Sequence, residues 1–283
     1  MASFTNFATL SYNGGTTNSN IVTGEILEAL TAVKTAVSAN YSAGDRITYA
    51  LSLVNTGTAA ITDYTVTDNL GGYTVGANTV YPLAYNTGTV RYYINGVLQA
   101  APTVTAGPPL TVTGLTVPAG GSAVLIYETT TTPVAPLATG SSITNTATIT
   151  GGGLTTPITA QATVETATSA ELSISKALSP TTVTENGQIT YTFVISNTGN
   201  TEATATGNVV VTDTFAPILR NIAVTYNGTA WTEGTNYTYN AATGVFTTLA
   251  GQITVPAATF TQNTDGTFTV TPGTATLVIT GTV

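Results

Sequence analysis

The sequence holds two lysines, Lys34 and Lys176, and they occupy equivalent places in two copies of one pattern. In an extended strand every second side chain lies on the same face. That parity places Lys176 with Leu172, Ile174 and Leu178, an apolar face, and Lys34 with Leu30 and Ala32. It places Asp68 with Tyr64 and Val66, and Asp213 with Val209 and Val211. Asn145 falls with Ile143, Ala147 and Ile149, and Asn6 with Phe4, Ala8 and Leu10. Each copy therefore directs one Lys, one Asp and one Asn inward, provided that Asn6 reaches the second copy from a neighbouring molecule.

A buried charge without a partner is strongly unfavourable, and two arrangements remove it. The first is a Lys–Asp ion pair hydrogen-bonded to the Asn. The second is covalent. Desolvation lowers the pKa of a lysine and makes its neutral amine available as a nucleophile. A buried Asp, its pKa raised, can protonate the Asn carbonyl and relay protons. Attack on the side-chain amide then releases ammonia and leaves an isopeptide bond. The residues alone leave both arrangements open. In the covalent one, Asp68 and Asp213 are the proton relays, Lys34 and Asn145 join within the chain, and Lys176 joins an Asn6 from another copy.

The elements that must position these groups are strands. Phe4 to Ile26 reads FTNFATLSYNGGTTNSNIVTGEI, and the pattern returns as ITNTATITGGGLTTPITAQATVE at Ile143 to Glu165. Both copies carry an alternating strand, a Gly-rich turn and a second extended segment, which is a β-hairpin signal. Between them, strands are expected at Leu30–Val37, Arg46–Val54, Tyr64–Asp68, Val90–Ile94, Leu110–Val117 and Ala123–Thr129. A polar joint, Thr166 to Ala170, leads into the second copy. Glu171 to Leu178 matches the first strand, QITYTFVIS matches RITYALSLV, and Asn197-Thr198-Gly199 matches Asn55-Thr56-Gly57. NVVVTD at Asn208–Asp213 matches YTVTD at Tyr64–Asp68, ITVPA at Ile253 matches LTVPA at Leu115, and TATLVITGTV matches SAVLIYETTT. The second copy has no counterpart of the Ile143–Glu165 hairpin.

Short strands and Gly/Pro turns, repeated at a spacing of about 140 residues, predict an all-β protein of two tandem antiparallel Ig-like sandwiches. The expected divisions are a donor hairpin over 1–26, a complete sandwich over 27–166 and an incomplete one over 167–283.

Composition narrows the function. Among 283 residues only 6% are charged, against the usual quarter, and the net charge is -8. Five Lys plus Arg with no basic patch argue against nucleic acid as a partner. No Cys means no disulfide or thiolate metal site, and no His removes the commonest general base and metal ligand. The carboxylates lack EF-hand spacing, so no metal or other cofactor is expected. No secretory leader, membrane-spanning run or wall-sorting motif is visible. A leader removed from the natural protein, or another route such as assembly inside a spore mother cell, would account for that. Asn227-Gly-Thr and Asn236-Tyr-Thr are short sequons of low specificity. Arg91-Tyr92-Tyr93 and the set Trp231, Tyr237 and Tyr239 read as strand packing ahead of a ligand platform.

The run of Lys176, ITY at Ile189, NTG at Asn197, VTD at Val211 and ITNTAT at Ile143 resembles the conserved repeat domain of bacterial and archaeal surface proteins, domain of unknown function eleven. The resemblance covers Leu30 to Val164, and Glu171 to Val283 without the last hairpin. It implies an Ig-like sandwich and no enzymatic activity. The Lys, Asn and acid set is similar to the isopeptide triads of Gram-positive pilins and adhesins.

A sandwich without its last hairpin exposes an apolar groove and unpaired strand edges, and such edges recruit strands. Return of the first hairpin onto the second domain of its own chain is strained. The joint from Ile21 to Ala29 spans at most ~30 Å, and a sandwich of roughly 35–45 Å intervenes. Insertion into the next copy has no such limit, and head-to-tail insertion generates an open fibre. Phe4, Ala8 and Leu10 would then pack into the neighbour. The expected function is a structural subunit of an extracellular fibre on a cell or spore surface, a head-to-tail homopolymer with itself as partner. The second reading is a monomeric adhesin or carbohydrate-binding stalk from a longer repeat protein. A hydrolase would need paired carboxylates in a cleft, which the spacing does not provide.

Overall fold

The computed structural model describes residues 2–26 and 29–283. They divide into two compact units. One takes in the residues up to Ala135 together with Ser142–Glu165, and the other takes in Pro136–Ser141 together with Thr166–Val283.

The first unit begins with a hairpin of four short strands, β1 (Ala2–Asn6), β2 (Thr9–Tyr12), β3 (Gly15–Asn18) and β4 (Val22–Ile26). β1 pairs with β4 and β2 with β3, and these are two separate two-stranded sheets. The partners run Asn6 with Val22 but then Thr9 with Asn18, so the second strand carries one extra residue between them. Gly24 lets the Phe4 ring lie over it, since Phe4 Cζ stands 2.4 Å from the place of a Cβ and a side chain there would displace the ring.

The sandwich follows with β5 (Leu30–Ala36), β6 (Asn40–Tyr41), β7 (Arg46–Asn55), β8 (Ile61–Asp68), β9 (Tyr73–Val75), β10 (Asn78–Val80), β11 (Leu83–Tyr85), β12 (Arg91–Ile94), β13 (Val97–Leu98), β14 (Thr103–Thr105), β15 (Leu110–Val117), β16 (Ser122–Thr131), β17 (Ser142–Gly151) and β18 (Ile158–Thr166). One sheet runs β13-β12-β16-β7-β5, with β11 also on β16, and the other runs β14-β15-β8-β17-β18-β6. In β7 and β16 buried and less buried residues alternate almost without break, which is the half-buried strand pattern written in RITYALSLV and SAVLIYETTT. The inward set includes Tyr49, Leu51, Leu53, Tyr64, Val66, Leu125 and Tyr127. The β17–β18 turn is closed by Gly151, Gly152 and Gly153, all at positive φ, and at Gly152 a Cβ would also stand 2.6 Å from Ile61 Cγ2.

The second unit contains β19 (Leu172–Ser179), β20 (Gln188–Asn197), a 3-10 turn (Ala205–Gly207), β21 (Thr212–Thr214), β22 (Arg220–Tyr226), β23 (Thr229–Trp231), β24 (Tyr237–Asn240), β25 (Val245–Thr248), β26 (Thr259–Gln262), β27 (Phe268–Thr271) and β28 (Gly273–Thr282). The sheet β19-β20-β28-β22-β23 repeats that of the first unit strand for strand, and a small sheet β21-β25-β24 faces it. Phe193, Phe215, Phe246, Leu277 and Ile279 form its core.

The expected repeat is thus present, with two departures. Asn208–Asp213 was expected to copy the strand ending at Asp68, but only Thr212–Thr214 is extended and Asn208 sits at φ 51°. In the first unit β8 is held between β15 and β17, whereas among the described strands β21 pairs with β25 alone. Pairing on one side fixes less of the strand. The other departure is the β26–β27 hairpin, inserted between ITVPA and β28, which the turn Gly120-Gly121 replaces in the first unit. No helix among the described residues is long and apolar enough to cross a membrane.

Candidate functional site

In the first unit the inward set assembles. β5 brings Lys34, β8 brings Asp68 and β17 brings Asn145, each to the interior between the sheets. Lys34 Nζ donates to Asp68 Oδ2 at 2.5 Å, and both side chains are essentially sealed, 0% and 1% exposed. Asp68 Oδ1 accepts from the Leu70 backbone N–H at 3.0 Å. The Tyr127 hydroxyl also donates to Asp68 Oδ2. Lys34 Nζ lies 4.8 Å from the Tyr49 ring centroid and 5.8 Å from that of Tyr127, within cation–π range.

Asn145 is fully buried at the same two tyrosines. Its amide pulls the hydroxyl pKa of each downward, against the larger upward effect of burial and then of the Asp68 charge. Among the described residues neither amide atom of Asn145 finds a hydrogen-bond partner, nor does the Tyr49 hydroxyl. An unsatisfied buried amide costs about 1–3 kcal/mol, so its retention beside Lys34 and Asp68 calls for a reason.

Burial dominates the lysine. It lowers the Lys34 pKa from 10.5 to about 8, against the opposing pull of Asp68. At pH 7 that shift raises the fraction of neutral amine by roughly two orders of magnitude over an ordinary lysine. A neutral amine, an acid within hydrogen-bond reach and an asparagine amide free of competing bonds are the three components that amide exchange needs.

The second unit holds the same pair in the open. Lys176 Nζ donates to Asp213 Oδ2, with the side chains 41% and 18% exposed. The ammonium lies over Tyr191, Phe193 and Phe215 at 4.5, 5.4 and 5.6 Å. The position of Tyr127 is taken by Ile279, so no hydroxyl reaches this acid from that strand. The inner face of β19 is bare, with Leu172, Ile174 and Leu178 37–55% exposed. The corresponding β5 residues Leu30 and Lys34 are 2% and 4% exposed. Asn6 is exposed in β1, opposite Val22. Phe4 and Leu10 of the hairpin are 53% and 64% exposed, and Ala8 is also exposed.

Two features of the site were not anticipated from sequence. Tyr127 alternates inward with Ala123 and Leu125, so parity alone would have turned it to the core, though not to Asp68 in particular. The NTG motifs are more than turns. Asn55 Nδ2 donates to the carbonyls of Ala59, Val117 and Pro118, and Asn197 Nδ2 to those of Thr201, Val255 and Pro256. One buried amide thus ties three segments at one end of each sandwich. The aromatic sets considered as ligand platforms are packing: Tyr237 and Tyr239 lie against Phe246 and Phe215, and Trp231 stacks on Tyr226.

No family model matches the sequence, nor does any curated protein, and the resemblance to the conserved repeat domain stays at the level of the quoted motifs. Among solved structures the chain is similar to a C-terminal fragment of the major pilin of Streptococcus agalactiae, at 12% identity over 56% of this chain and 67% of that one, TM-score 0.36. It is similar to the pilus backbone protein of Streptococcus pneumoniae, at 14% identity over 86% of this chain and 55% of that one, TM-score 0.36. The chain thus spans about half the length of the pneumococcal protein. It is similar also to the major pilin subunit of Bacillus cereus, at 14% identity over 96% of this chain and 73% of that one, TM-score 0.35.

Proposed function

We propose that the protein is the structural subunit of an extracellular fibre, joined head to tail when the N-terminal hairpin of one copy completes the second unit of the next. The observation that carries this is the contrast at one strand. β5 is buried because β17 and β18 complete the opposite sheet, whereas β19, with the same pattern, is bare. The hairpin repeats the β17–β18 sequence pattern and shows its own apolar residues to solvent. By that equivalence Ala8 would lie opposite Asp213 and Leu10 opposite Val211, as Ala147 and Ile149 lie opposite Asp68 and Val66. Burial of Phe4 and Leu10, and of the β19 face, would contribute about 1–2 kcal/mol for each half-exposed side chain.

The bond chemistry follows the same equivalence. In the first unit the neutral Lys34 amine attacks Asn145 Cγ. The Nζ–Cγ bond forms, the Cγ–Nδ2 bond breaks, and the proton lost by Nζ passes through Asp68 to the departing ammonia. The orphaned Asn145 amide fits that reading, since the bond would consume it. In the second unit Lys176 and Asp213 await Asn6, and docking would supply both the amide and the exclusion of water.

Removal of residues 1–24 should leave subunits that stay monomeric by native mass and show no fibres in negative stain. Fibres of unchanged form would mean that another segment covers β19. Wild-type fibres boiled in detergent should run as a ladder of subunit multiples. Asn6→Ala should polymerise yet fall to monomer on boiling, and a wild-type sample that does the same has no interchain bond.

A further inference from the structure

The acceptor has a second edge. In the first unit β18, the outer strand of the closing hairpin, is flanked by β17 on one side and by β6 (Asn40–Tyr41) on the other. The Glu165 N–H donates to the Ala39 carbonyl at 2.9 Å, and Tyr41 is fully buried. The second unit carries the same segment at a constant offset, since Lys34, Tyr49 and Asn55 correspond to Lys176, Tyr191 and Asn197 with no gap between. Ala39-Asn40-Tyr41 therefore corresponds to Thr181-Thr182-Val183. The turn that follows has the same backbone in both. Gly44 and Asn186 are both at positive φ, the Asp45 N–H donates to Ser42 O at 3.3 Å, and the Gly187 N–H to Thr184 O at 2.9 Å.

Yet Asn40–Tyr41 is a strand and Thr182–Val183 is not. Thr181 and Thr182 are exposed and Val183 is only partly buried. The loop is the same, and what differs is the presence of β18. The N–H and C=O groups of 181–183 are thus an unused strand edge, and such an edge takes up a strand that is offered to it.

We infer that Thr181–Val183 is the second jaw of the acceptor. The incoming hairpin of another copy is clasped on both sides, its first strand by β21 and its second, β4, by Thr181–Val183. The Glu25 N–H, which corresponds to that of Glu165, donates to the Thr181 carbonyl. The inference rests on the hairpin-docking reading above and adds to it a folding step, in which residues 181–183 become a strand on docking. It also explains the donor's form. A single donor strand could satisfy β21, but only a hairpin presents a second edge at the width of the Thr181–Val183 segment.

The sequence has no cysteine, so engineered pairs report docking without background. Thr148 lies opposite Thr67 in the first unit, which makes Thr9 and Thr212 the corresponding intermolecular pair. A Thr9→Cys copy mixed with a Thr212→Cys copy should form a disulfide-linked dimer. In that dimer the amides of residues 181–183 should exchange with solvent roughly tenfold or more slowly than in the free subunit. Those of Ala39–Tyr41, unchanged between the two samples, serve as the internal standard. A cross-linked dimer whose 181–183 amides exchange as in the free subunit overturns the second jaw and leaves docking intact. No cross-link at all overturns docking, and the second jaw with it.

Discussion

The two units carry the same buried-strand grammar and the same Lys–Asp pair in opposite physical states. Lys34 is sealed and Lys176 is 41% exposed, although β5 and β19, which carry them, take the same place in two sheets of the same strand order. One hairpin makes the difference. In the first unit it comes from the same chain as β17 and β18; in the second the place beside β21 is unpaired among the described strands. The comparison teaches that burial here is not a property of the lysine strand. In the first unit it goes with the β17–β18 hairpin that closes the opposite sheet.

The largest expected effect breaks the equivalence of the two acids. Asp68→Ala leaves Lys34 buried without its partner, and removal of one member of a buried pair costs about 3–5 kcal/mol. The proton relay is lost too, so the intact mass should no longer show the loss of one ammonia for the first unit. Asp213→Ala in the free subunit removes a partner from a lysine that already reaches water, at a cost of about 1 kcal/mol or less. Hydrogen exchange resolves the units, with β7 and β16 reporting the first and β20 and β28 the second. Equal losses would mean that the two sites are alike before docking.

A second test asks what state Lys34 is in, using pH. In Asn145→Ala no amide is available and Lys34 must remain a free amine. Folding then holds its pKa near 8, below the 10.5 of the unfolded chain. Between those values the unfolded chain binds more protons than the folded one, so stability rises with pH across that window and is lowest below it. A rise of about 1–3 kcal/mol in the first unit is expected for the variant. The wild type, with Lys34 held in an amide, should lack that rise, while both proteins lose stability toward pH 10 as the tyrosines, whose pKa burial raises in the fold, ionise in the unfolded chain. A wild-type curve that rises like that of the variant reduces the site to an ion pair.

Much of this was written in the sequence, and the exceptions have a common physical cause. Parity placed Lys34, Asp68 and Asn145 on inward faces, and the structure brings Lys34 and Asp68 to 2.5 Å with Asn145 at the same pair of tyrosines. Parity works there because β8 and β17 each lie between two neighbours, the edge strand β5 pairs with β7 along its whole length, and all three have a core to face. It failed at Asn208–Asp213, where VVVT aligns with YTVT but β21 pairs with β25 alone among the described strands. It could not show Tyr127 as a donor to Asp68, because an inward tyrosine is equally consistent with packing until the opposite sheet is in place. The carbonyl-binding role of Asn55 and Asn197 was hidden because parity turns each inward at the end of its strand without naming its partners, one of them four residues on and the other two about sixty. The β26–β27 hairpin was hidden by the good match of ITVPA and TATLV on either side of it.

The smallest expected effect is the most direct measure of exposure. Added salt screens charges that water can reach and leaves sealed ones almost untouched. In the free subunit, raising the ionic strength from about 0.01 M to 0.5 M should weaken the second unit by no more than about 0.5 kcal/mol through the Lys176–Asp213 pair. The first unit, through Lys34–Asp68, should not respond. Lys176→Met should abolish the response of the second unit, which separates this pair from general charge effects. The same titration on Asn6→Ala fibres then tests docking itself, since these fibres carry a closed second unit without an interchain bond. There the salt response of the second unit should vanish, because the incoming hairpin would cover Lys176 as β17 and β18 cover Lys34. A response that persists unchanged in the fibre would mean that the hairpin does not close over the pair, whatever else holds the copies together.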